Sequence, residues 1–183
     1  AQYQTALRSV TYRSTSDDPT DNDTTANRSR TISWTVTDAN SDNAGAQSST
    51  AVTSSIAVTA VNDKPVVTAG ANLAYTENGS AAVIDNTISI TDIDDTQIAS
   101  ATVSISAGFT SGDILGFTTQ NGISGSYNAS TGTLSITGTA TLAQYETALK
   151  SVKFSSASND PTRFSASRTI SWTVTDANSD KAG

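Results

Sequence analysis

Several segments of this 183-residue chain alternate apolar and polar residues, as β-strands do, and acidic side chains follow these segments. Three of the acidic side chains lie very close together along the chain. The segment TDIDDTQ carries three carboxylates, Asp92, Asp94 and Asp95, within four residues. Carboxylates this close repel one another unless water or a cation screens the charge, and oxygen ligands suit hard cations such as calcium. The cluster therefore predicts a calcium site at the end of a strand, with a solvated turn as the alternative.

The segment VTDANSD occurs twice and places oxygen-bearing side chains at alternate positions after a predicted strand. These side chains are Asp38, Asn40 and Asp42 in the first copy, and Asp176, Asn178 and Asp180 in the second. Oxygens at positions 1, 3 and 5 of a loop can converge on one cation, as at the start of an EF-hand. The glycine is displaced and no Glu stands at position 12, so an EF-hand is excluded. A simpler loop site and a solvated turn both stay open.

Two further motifs offer oxygen ligands at the ends of predicted strands. YTENGS supplies Glu77 and Asn78 at a boundary between a strand and a turn. AVNDKPVV supplies Asn62 and Asp63 at the junction between repeats, where Pro65 opens the next strand. Asn and Asp before Pro also form ordinary linker turns, so this last motif has a purely structural alternative.

The composition excludes several classes of protein. The chain has no His and no Cys, which most nucleophile and general-base pairs require, and no glycine-rich phosphate loop precedes a helix, so we do not expect an enzyme. The net charge of −7 and the pI near 4.3 argue against nucleic-acid binding, which needs a basic face. No apolar run approaches the roughly eighteen residues of a membrane helix, so we expect no membrane insertion.

An internal repeat divides the chain. RTISWTVTDANSD spans Arg30–Asp42 and recurs unchanged at Arg168–Asp180, and the opening AQYQTALRSVTY matches AQYETALKSVKF further on. A repeat of about 138 residues is too long for a short solenoid unit and indicates a domain in a tandem array. We predict the C-terminal half of one repeat at 1–62 and the next repeat at 63–183, nearly complete but lacking its last strand. We interpret the chain as a piece of a longer protein.

Alternation of apolar and polar residues with period two dominates the chain. RTISWTVTD puts its Ile, Trp and Val on one face, which is typical of a half-buried antiparallel strand. TLAQYETALKSV instead repeats apolar residues at helical spacing and predicts one short helix with Thr141 as its N-cap. The pattern predicts an all-β fold, an Ig-like or cadherin-like antiparallel β-sandwich with one short helix in a crossover. The aromatic residues that we expect in the core are Trp34, Trp172, Tyr3 and Tyr145.

The order of the motifs resembles one known family. VNDKP, TENG, TDIDD, SATVSI, TLAQYETALKSVKF, NDPT and RTISWTVTDANSD together resemble the cadherin-like repeats of giant bacterial surface adhesins exported by type I secretion. The resemblance implies an extracellular structural module at the bacterial cell surface, a stalk or spacer in cell adhesion or biofilm. It implies that calcium, at one or two ions per junction, stiffens an array of neighbouring repeats. The calcium ligands that it implies are Asn62, Asp63, Glu77, Asp92 and Asp94.

Two other functions remain compatible with the residues. The chain could be a subunit of a self-assembling extracellular filament or surface layer, in which strand 50–61 of one chain completes the sandwich of another by strand addition. It could also be a calcium-dependent carbohydrate-binding module, with a glycan as ligand and exposed aromatic rings as its platform. The aromatic residues considered for that role are Phe109, Phe117, Tyr127 and Phe164.

Overall fold

The computed structural model describes residues 2–21 and 27–181, and the chain divides into two compact units, one ending at Val61 and one comprising Asn62–Asp180. The helices in the described residues are α1 (Gln2–Arg8) and α2 (Leu142–Lys150). The strands are β1 (Ser29–Trp34), β2 (Val52–Ala57), β3 (Val66–Thr68), β4 (Ala82–Val83), β5 (Ser89–Thr91), β6 (Gln97–Ala107), β7 (Asp113–Gly116), β8 (Ser124–Asn128), β9 (Thr133–Thr141), β10 (Lys153–Ser156) and β11 (Thr169–Asp176). Neither helix is long and apolar enough to cross a membrane.

The first unit contains α1 and one antiparallel pair, β1 with β2. The register runs from Ser29 opposite Ala57 to Trp34 opposite Val52. Most side chains of β2 are exposed, and Val52 is 64% exposed. A two-stranded ribbon with so little buried apolar surface is marginally stable by itself.

The second unit holds three antiparallel sheets within the described residues. Their strand orders are β11-β6-β9-β8, β4-β10-β7 and β3-β5. This arrangement confirms the predicted all-β, sandwich-like fold. The predicted helix is confirmed as α2, which connects β9 to β10, and α1 is its counterpart in the first copy.

The core of the second unit forms where the apolar faces of these sheets and of α2 meet. Strand β9 shows why, because its side chains alternate between buried and accessible positions, as the pleat of a strand requires. Each fully buried Ile or Leu contributes on the order of 2 kcal/mol relative to an exposed one. The residues of the core that are at most 1% exposed are Ile88, Ile98, Val103, Leu115, Ile123, Leu134, Ile136, Tyr145, Ala148, Leu149 and Val152.

Helix α2 begins with a capping box. The hydroxyl of Thr141 accepts the backbone N–H of Gln144, and the Gln144 side chain accepts the backbone N–H of Thr141. Tyr145 is fully buried, and its hydroxyl lies 2.7 Å from the carbonyl oxygen of Gly138 and 3.1 Å from that of Ala99. The prediction for Tyr145 is therefore confirmed.

The prediction for Tyr3 is wrong, because this residue is 77% exposed on α1. The reason lies in the surroundings of each ring. Tyr145 packs between strands that carry Ala99 and Gly138, whereas the described residues leave most of the Tyr3 ring uncovered. Trp172 packs against the core as expected, whereas Trp34 is half-buried.

Buried polar groups tie the sheets together. The guanidinium of Arg168 donates two hydrogen bonds to the carboxylate of Asp113, at 2.6 and 3.2 Å, and the Asp113 side chain is fully buried. A second buried carboxylate, Asp85, accepts the backbone N–H groups of Gly70 and Ala71. These bonds compensate the desolvation of the two charges, which would otherwise oppose folding.

One short hairpin illustrates how local chemistry sets the turns. Asn121 and Gly122 both have positive φ angles, 51° and 76°, and Gln120 and Ile123 exchange two backbone hydrogen bonds across the turn. Asn and Gly tolerate this left-handed conformation, which is why the Asn-Gly pair predicts a tight hairpin. The structure shows this hairpin at Gln120–Ile123.

Candidate metal centre

The three clustered carboxylates lie in the loop between β5 and β6. One oxygen from each of Asp92, Asp94 and Asp95 lies within 4.8 Å of one oxygen from each of the others. The loop curls because Oδ1 of Asp92 accepts the backbone N–H groups of Asp94 and Asp95, at 3.5 and 3.4 Å. Such a turn is typical of Asp, whose short side chain bonds to the backbone two or three residues further on.

The segment that opens the second unit reaches this loop. The backbone N–H of Asp63 donates to Oδ2 of Asp94 at 2.8 Å. The side-chain oxygen of the preceding residue, Asn62, is buried. The first residues of the unit are thereby held against the cluster, although about thirty positions separate them along the chain.

The loop after β11 supplies the third side of the cluster. Oδ1 of Asp95 accepts the backbone N–H and the hydroxyl of Ser179, and it also accepts the backbone N–H of Asp180 at 3.3 Å. The hydroxyl of Ser179 in turn accepts the backbone N–H of Thr96 at 3.1 Å. Asp95 and Asp180 are only 4% and 1% exposed, so two carboxylates are buried side by side at this end of the unit.

Several oxygens at this place are buried without a hydrogen-bond partner among the described residues. They are Oδ1 of Asn62, Oδ2 of Asp92, Oδ1 of Asp94 and Oδ2 of Asp95. Buried polar atoms in native proteins are almost always paired, so a concentration of unpaired acceptors indicates a bound water or ion. Each of the three carboxylates keeps its other oxygen bonded to protein N–H or O–H groups, which fixes its orientation.

The electrostatics of the three carboxylates favour the binding of a cation. In the part of the chain that the structure describes, no Lys or Arg forms an ion pair with Asp92, Asp94 or Asp95. Burial raises the pKa of Asp92 to about 6, and the neighbouring Asp94 carboxylate adds to the shift. Like charges held this close make the ionised cluster unfavourable until a cation neutralises them.

The donor set fits calcium. Calcium takes six to eight oxygen ligands, from carboxylates, amide and backbone carbonyls and water, in flexible geometry. The residues that could hold it are Asn62, Asp92, Asp94 and Asp95, with Asp180 adjacent. The absence of His and Cys from the chain leaves no soft ligand, so the site does not suit zinc or copper.

Other predicted ligands lie in different surroundings. Glu77 is exposed, lies outside the group of clustered carboxylates, and accepts the side-chain N–H of Asn78 at 3.3 Å. Asp176 caps its own loop, since its Oδ1 accepts the backbone N–H of Asn178 at 3.0 Å. The structure therefore brings together Asn62, Asp92, Asp94, Asp95 and Asp180, and it leaves Glu77 apart.

The matching loop of the first copy uses its oxygens on its own backbone. Asp38 accepts the backbone N–H groups of Asn40 and Gln47. Asn40 accepts that of Gly45, and Asp42 accepts that of Ala44. This network forms an ordered turn in which the side chains of Asp38 and Asp42 are exposed.

Sequence reasoning missed one component of the cluster. Ser179 bridges Asp95 and Thr96, and it thereby places Asp180 beside Asp95. The period-two spacing of VTDANSD predicted one loop site formed by Asp176, Asn178 and Asp180. In the structure, Asp180 lies beside Asp95 of the loop after β5. Only the identity of the segment in both copies hinted that Ser179 had a structural role.

Comparison with known proteins yields one similarity. The chain is 32% identical over 108 residues to Halomucin from Haloquadratum walsbyi. The matched segment covers 56% of this chain, and the chain spans about 1% of the length of that relative, which is therefore very long. No protein-family model and no solved structure matches the chain.

Proposed function

We propose that the chain is a calcium-stiffened structural repeat of a large surface adhesin, serving as a stalk or spacer. The observation that carries this proposal is the set of buried, unpaired oxygens on Asn62, Asp92, Asp94 and Asp95. The similarity to a small segment of Halomucin supports it, because a segment of a very long protein is consistent with a repeat of a large surface protein. The two copies of RTISWTVTDANSD also support a repeated module.

Calcium bound at these residues would join three parts of the second unit. Asn62 belongs to the segment that enters the unit, Asp92–Asp95 to the loop after β5, and Asp180 to the loop after β11. A cation supplies the positive charge that the carboxylates lack, while the chain supplies oriented oxygens and a shell of N–H donors. Anchoring Asn62 in this way would restrict the direction in which the chain enters the repeat. In a tandem array, such a restriction at every junction makes the whole array stiffer.

The energetic effect should be large for a unit of this size. A ligand that binds only the folded state stabilises it by RT ln(1 + [L]/Kd), about 2.7 kcal/mol at a hundredfold excess over Kd. Extracellular calcium modules have Kd values of roughly 0.1–1 mM, which matches calcium levels outside cells. The stabilisation by calcium is largest where carboxylates are clustered, because the bound cation also removes the repulsion between their negative charges.

Paired measurements on one sample test this function. Thermal unfolding is recorded in about 2 mM calcium and in excess chelator, and small-angle X-ray scattering is recorded in both buffers. We expect calcium to raise Tm by several degrees and to lengthen the maximum dimension of the chain. Magnesium at the same concentration is the control, because it demands a smaller octahedral site and keeps its water. Equal melting curves and equal scattering profiles with and without calcium would refute the proposal.

The carbohydrate-binding alternative receives less support. Phe109, Phe117 and Tyr127 are partly buried and pack against the core, so they do not offer a platform for stacking sugars. Phe164 is 77% exposed, but its ring is covered on one side by the guanidinium of Arg163, 5.3 Å from the ring centroid. Among these four rings, no exposed pair is present.

A further inference from the structure

The loop after β11 is attached to one carboxylate of the cluster. Oδ1 of Asp95 accepts the backbone N–H and the hydroxyl of Ser179, and it also accepts the backbone N–H of Asp180 at 3.3 Å. The backbone N–H of Ala177 donates to a carbonyl oxygen at the start of β6 at 3.0 Å, which continues the pairing of β11 with β6. Residues 177–180 form the docking loop, and its contacts end on the clustered carboxylates.

The side chain of Ser179 lies at the centre of this contact. Its hydroxyl donates to Asp95 and accepts the backbone N–H of Thr96 at 3.1 Å. Because the hydroxyl is bonded both as a donor and as an acceptor, it is held in one orientation. Ser179 therefore holds the carboxylate of Asp95 while the backbone of the loop before β6 holds Ser179.

The docking loop fixes the direction of the second oxygen of Asp95. Since Oδ1 accepts the donors of the loop, Oδ2 is the oxygen that is left for a cation, and it is buried without a hydrogen-bond partner among the described residues. The whole residue is only 4% exposed. Ligating carboxylates are commonly held by such outer hydrogen bonds, and the loss of one typically lowers metal affinity by about ten- to a hundredfold.

The same contact carries an electrostatic cost when no cation is bound. It places the carboxylate of Asp180, which is 1% exposed, next to the carboxylate of Asp95. Two negative charges that are buried together raise the free energy of the docked loop. A cation at the clustered carboxylates would offset this repulsion. Cation binding and docking of the loop should therefore favour each other.

The turn within the docking loop forms in both copies of the repeated segment. Oδ1 of Asp176 accepts the backbone N–H of Asn178 at 3.0 Å, and Oδ1 of Asp38 accepts that of Asn40 at 2.8 Å. The φ angles of the two Asn residues are similar, 46° and 50°. The turn is thus a local property of the sequence, so a cation would control the docking of a preformed turn and not its folding.

We propose, on the basis of the calcium site proposed above, that docking of this loop through Ser179 regulates the calcium affinity of the clustered carboxylates, and that bound calcium in turn holds the loop on β6. Ser179 is a positioning residue, because it acts on the cation through Asp95. Coupling between two such events is reciprocal, so docking strengthens calcium binding by the factor by which calcium strengthens docking. Withdrawal of calcium would then release the end of β11.

Three substitutions test the role of Ser179 in calcium binding. Ser179→Ala removes the hydroxyl, and we expect it to raise the calcium Kd by about tenfold or more in isothermal titration. Ser179→Thr keeps the hydroxyl and should restore most of the lost affinity. Ser41→Ala is the matched control, because Ser41 occupies the same position of the identical segment and is exposed in the first copy. This control should bind calcium like the natural chain.

Amide hydrogen exchange of the natural chain, measured by NMR, tests the reciprocal effect without any variant. The N–H groups of Ser179 and Asp180 bond across the contact, so saturating calcium should slow their exchange by about tenfold, the factor expected for the affinity. The N–H of Asn40 is the internal control, because its partner lies within its own turn. The N–H of Asp63, which donates to the clustered carboxylates, reports calcium binding away from the docking loop.

The proposal requires both results, weaker binding in Ser179→Ala and slower exchange in the docking loop. If calcium slows exchange at Asp63 but not in the docking loop, calcium binds and the loop does not regulate it. If Ser179→Ala is less stable in chelator but keeps the natural Kd, Ser179 has a structural role alone, which also overturns the proposal. If calcium gives no heat of binding and changes none of these rates, the calcium site fails and the regulation fails with it. Circular dichroism in chelator checks that each variant folds.

Discussion

The backbone N–H of Asp63 donates a 2.8 Å hydrogen bond to Oδ2 of Asp94, across 31 positions of the chain. This contact holds the entry segment of the second unit against the loop after β5. It also leaves Oδ1 of Asp94 buried and without a partner among the described residues. Asp94 therefore combines a structural bond with a candidate ligand atom, and the first prediction concerns this residue.

Asp94→Asn should remove most of the response to calcium. The amide keeps nearly the same size, but it loses the negative charge and turns one ligand oxygen into an N–H₂ group. We expect the calcium-dependent gain in unfolding free energy to fall from about 3 kcal/mol to under about 1 kcal/mol. Isothermal titration and thermal melts with and without chelator measure this change.

Asp160→Asn is the matched control for that variant. Asp160 is exposed in the loop before Pro161, and it lies outside the clustered carboxylates, so its replacement removes one charge from the surface. Its calcium response should equal that of the natural chain. If both variants lose the response to the same extent, net charge and not the cluster is responsible.

Asp85 should make the second unit sensitive to acid. Burial alone would raise the pKa of Asp85, but the hydrogen bonds from the hydroxyl and N–H of Thr87 and from the backbone N–H groups of Ala71 and Gly70 outweigh it and lower the pKa to about 2. Because the folded pKa lies below the unfolded value of 3.8, the stabilisation is present above about pH 4 and is lost as pH falls toward 2. The loss should be about 2 kcal/mol.

Asp85→Asn isolates this contribution. The variant should be less stable than the natural chain by about 2 kcal/mol at pH 7, because its amide N–H₂ opposes the N–H donors that Asp85 accepts. The difference between the two should shrink as the pH falls from 4 to 2. Urea unfolding in chelator at each pH provides the measurement. A difference that stays constant over this range would show that the ionisation of Asp85 does not stabilise the fold.

Arg168→Met should destabilise the second unit strongly. The guanidinium of Arg168 is paired with the fully buried Asp113 side chain, and it also donates to the carbonyl oxygens of Pro161 and Ser165. Removing it leaves a buried carboxylate without its counter-charge, which costs about 3 kcal/mol or more. Denaturant unfolding followed by circular dichroism records the loss.

The repeat offers a matched control for Arg168. Arg30 occupies the same position of the identical segment and donates to the carbonyl oxygens of Pro19 and Asn27. Arg30→Met should cost about 1 kcal/mol, the value of ordinary hydrogen bonds. An equal loss in both variants would mean that the carbonyl contacts, and not the Asp113 pair, carry the effect.

Tyr145→Phe should cost about 1 kcal/mol of stability, because the carbonyl oxygen of Gly138 loses a buried donor. Tyr3→Phe tests the same change in the first copy, where the ring is 77% exposed. That variant should melt like the natural chain. A loss of stability in Tyr3→Phe would indicate that α1 packs its aromatic ring against a surface in solution.

Local patterns predicted most of the secondary structure. The alternation in RTISWTVTD, the N-cap residue Thr141 and the turn at Asn121–Gly122 each act over a few residues, so a single sequence is enough to recognise them. The grouping of Asp92, Asp94 and Asp95 could also be predicted from the sequence, since the three are neighbours along the chain. Membership of Asn62 and Asp180 was harder to infer, because both reach the cluster through contacts between distant segments.

The repeated segment separates what the sequence determined from what the tertiary structure decided. In both copies it forms a strand followed by a polar turn, because propensity and alternation are the same. In the first copy Asp42 is exposed and accepts the backbone N–H of Ala44, whereas its counterpart Asp180 is 1% exposed and donates its backbone N–H to Asp95. The sequence by itself determined the strand, the turn and the oxygen-bearing side chains. Only the tertiary structure decided which of these side chains were gathered and desolvated, because burial depends on neighbours from distant parts of the chain.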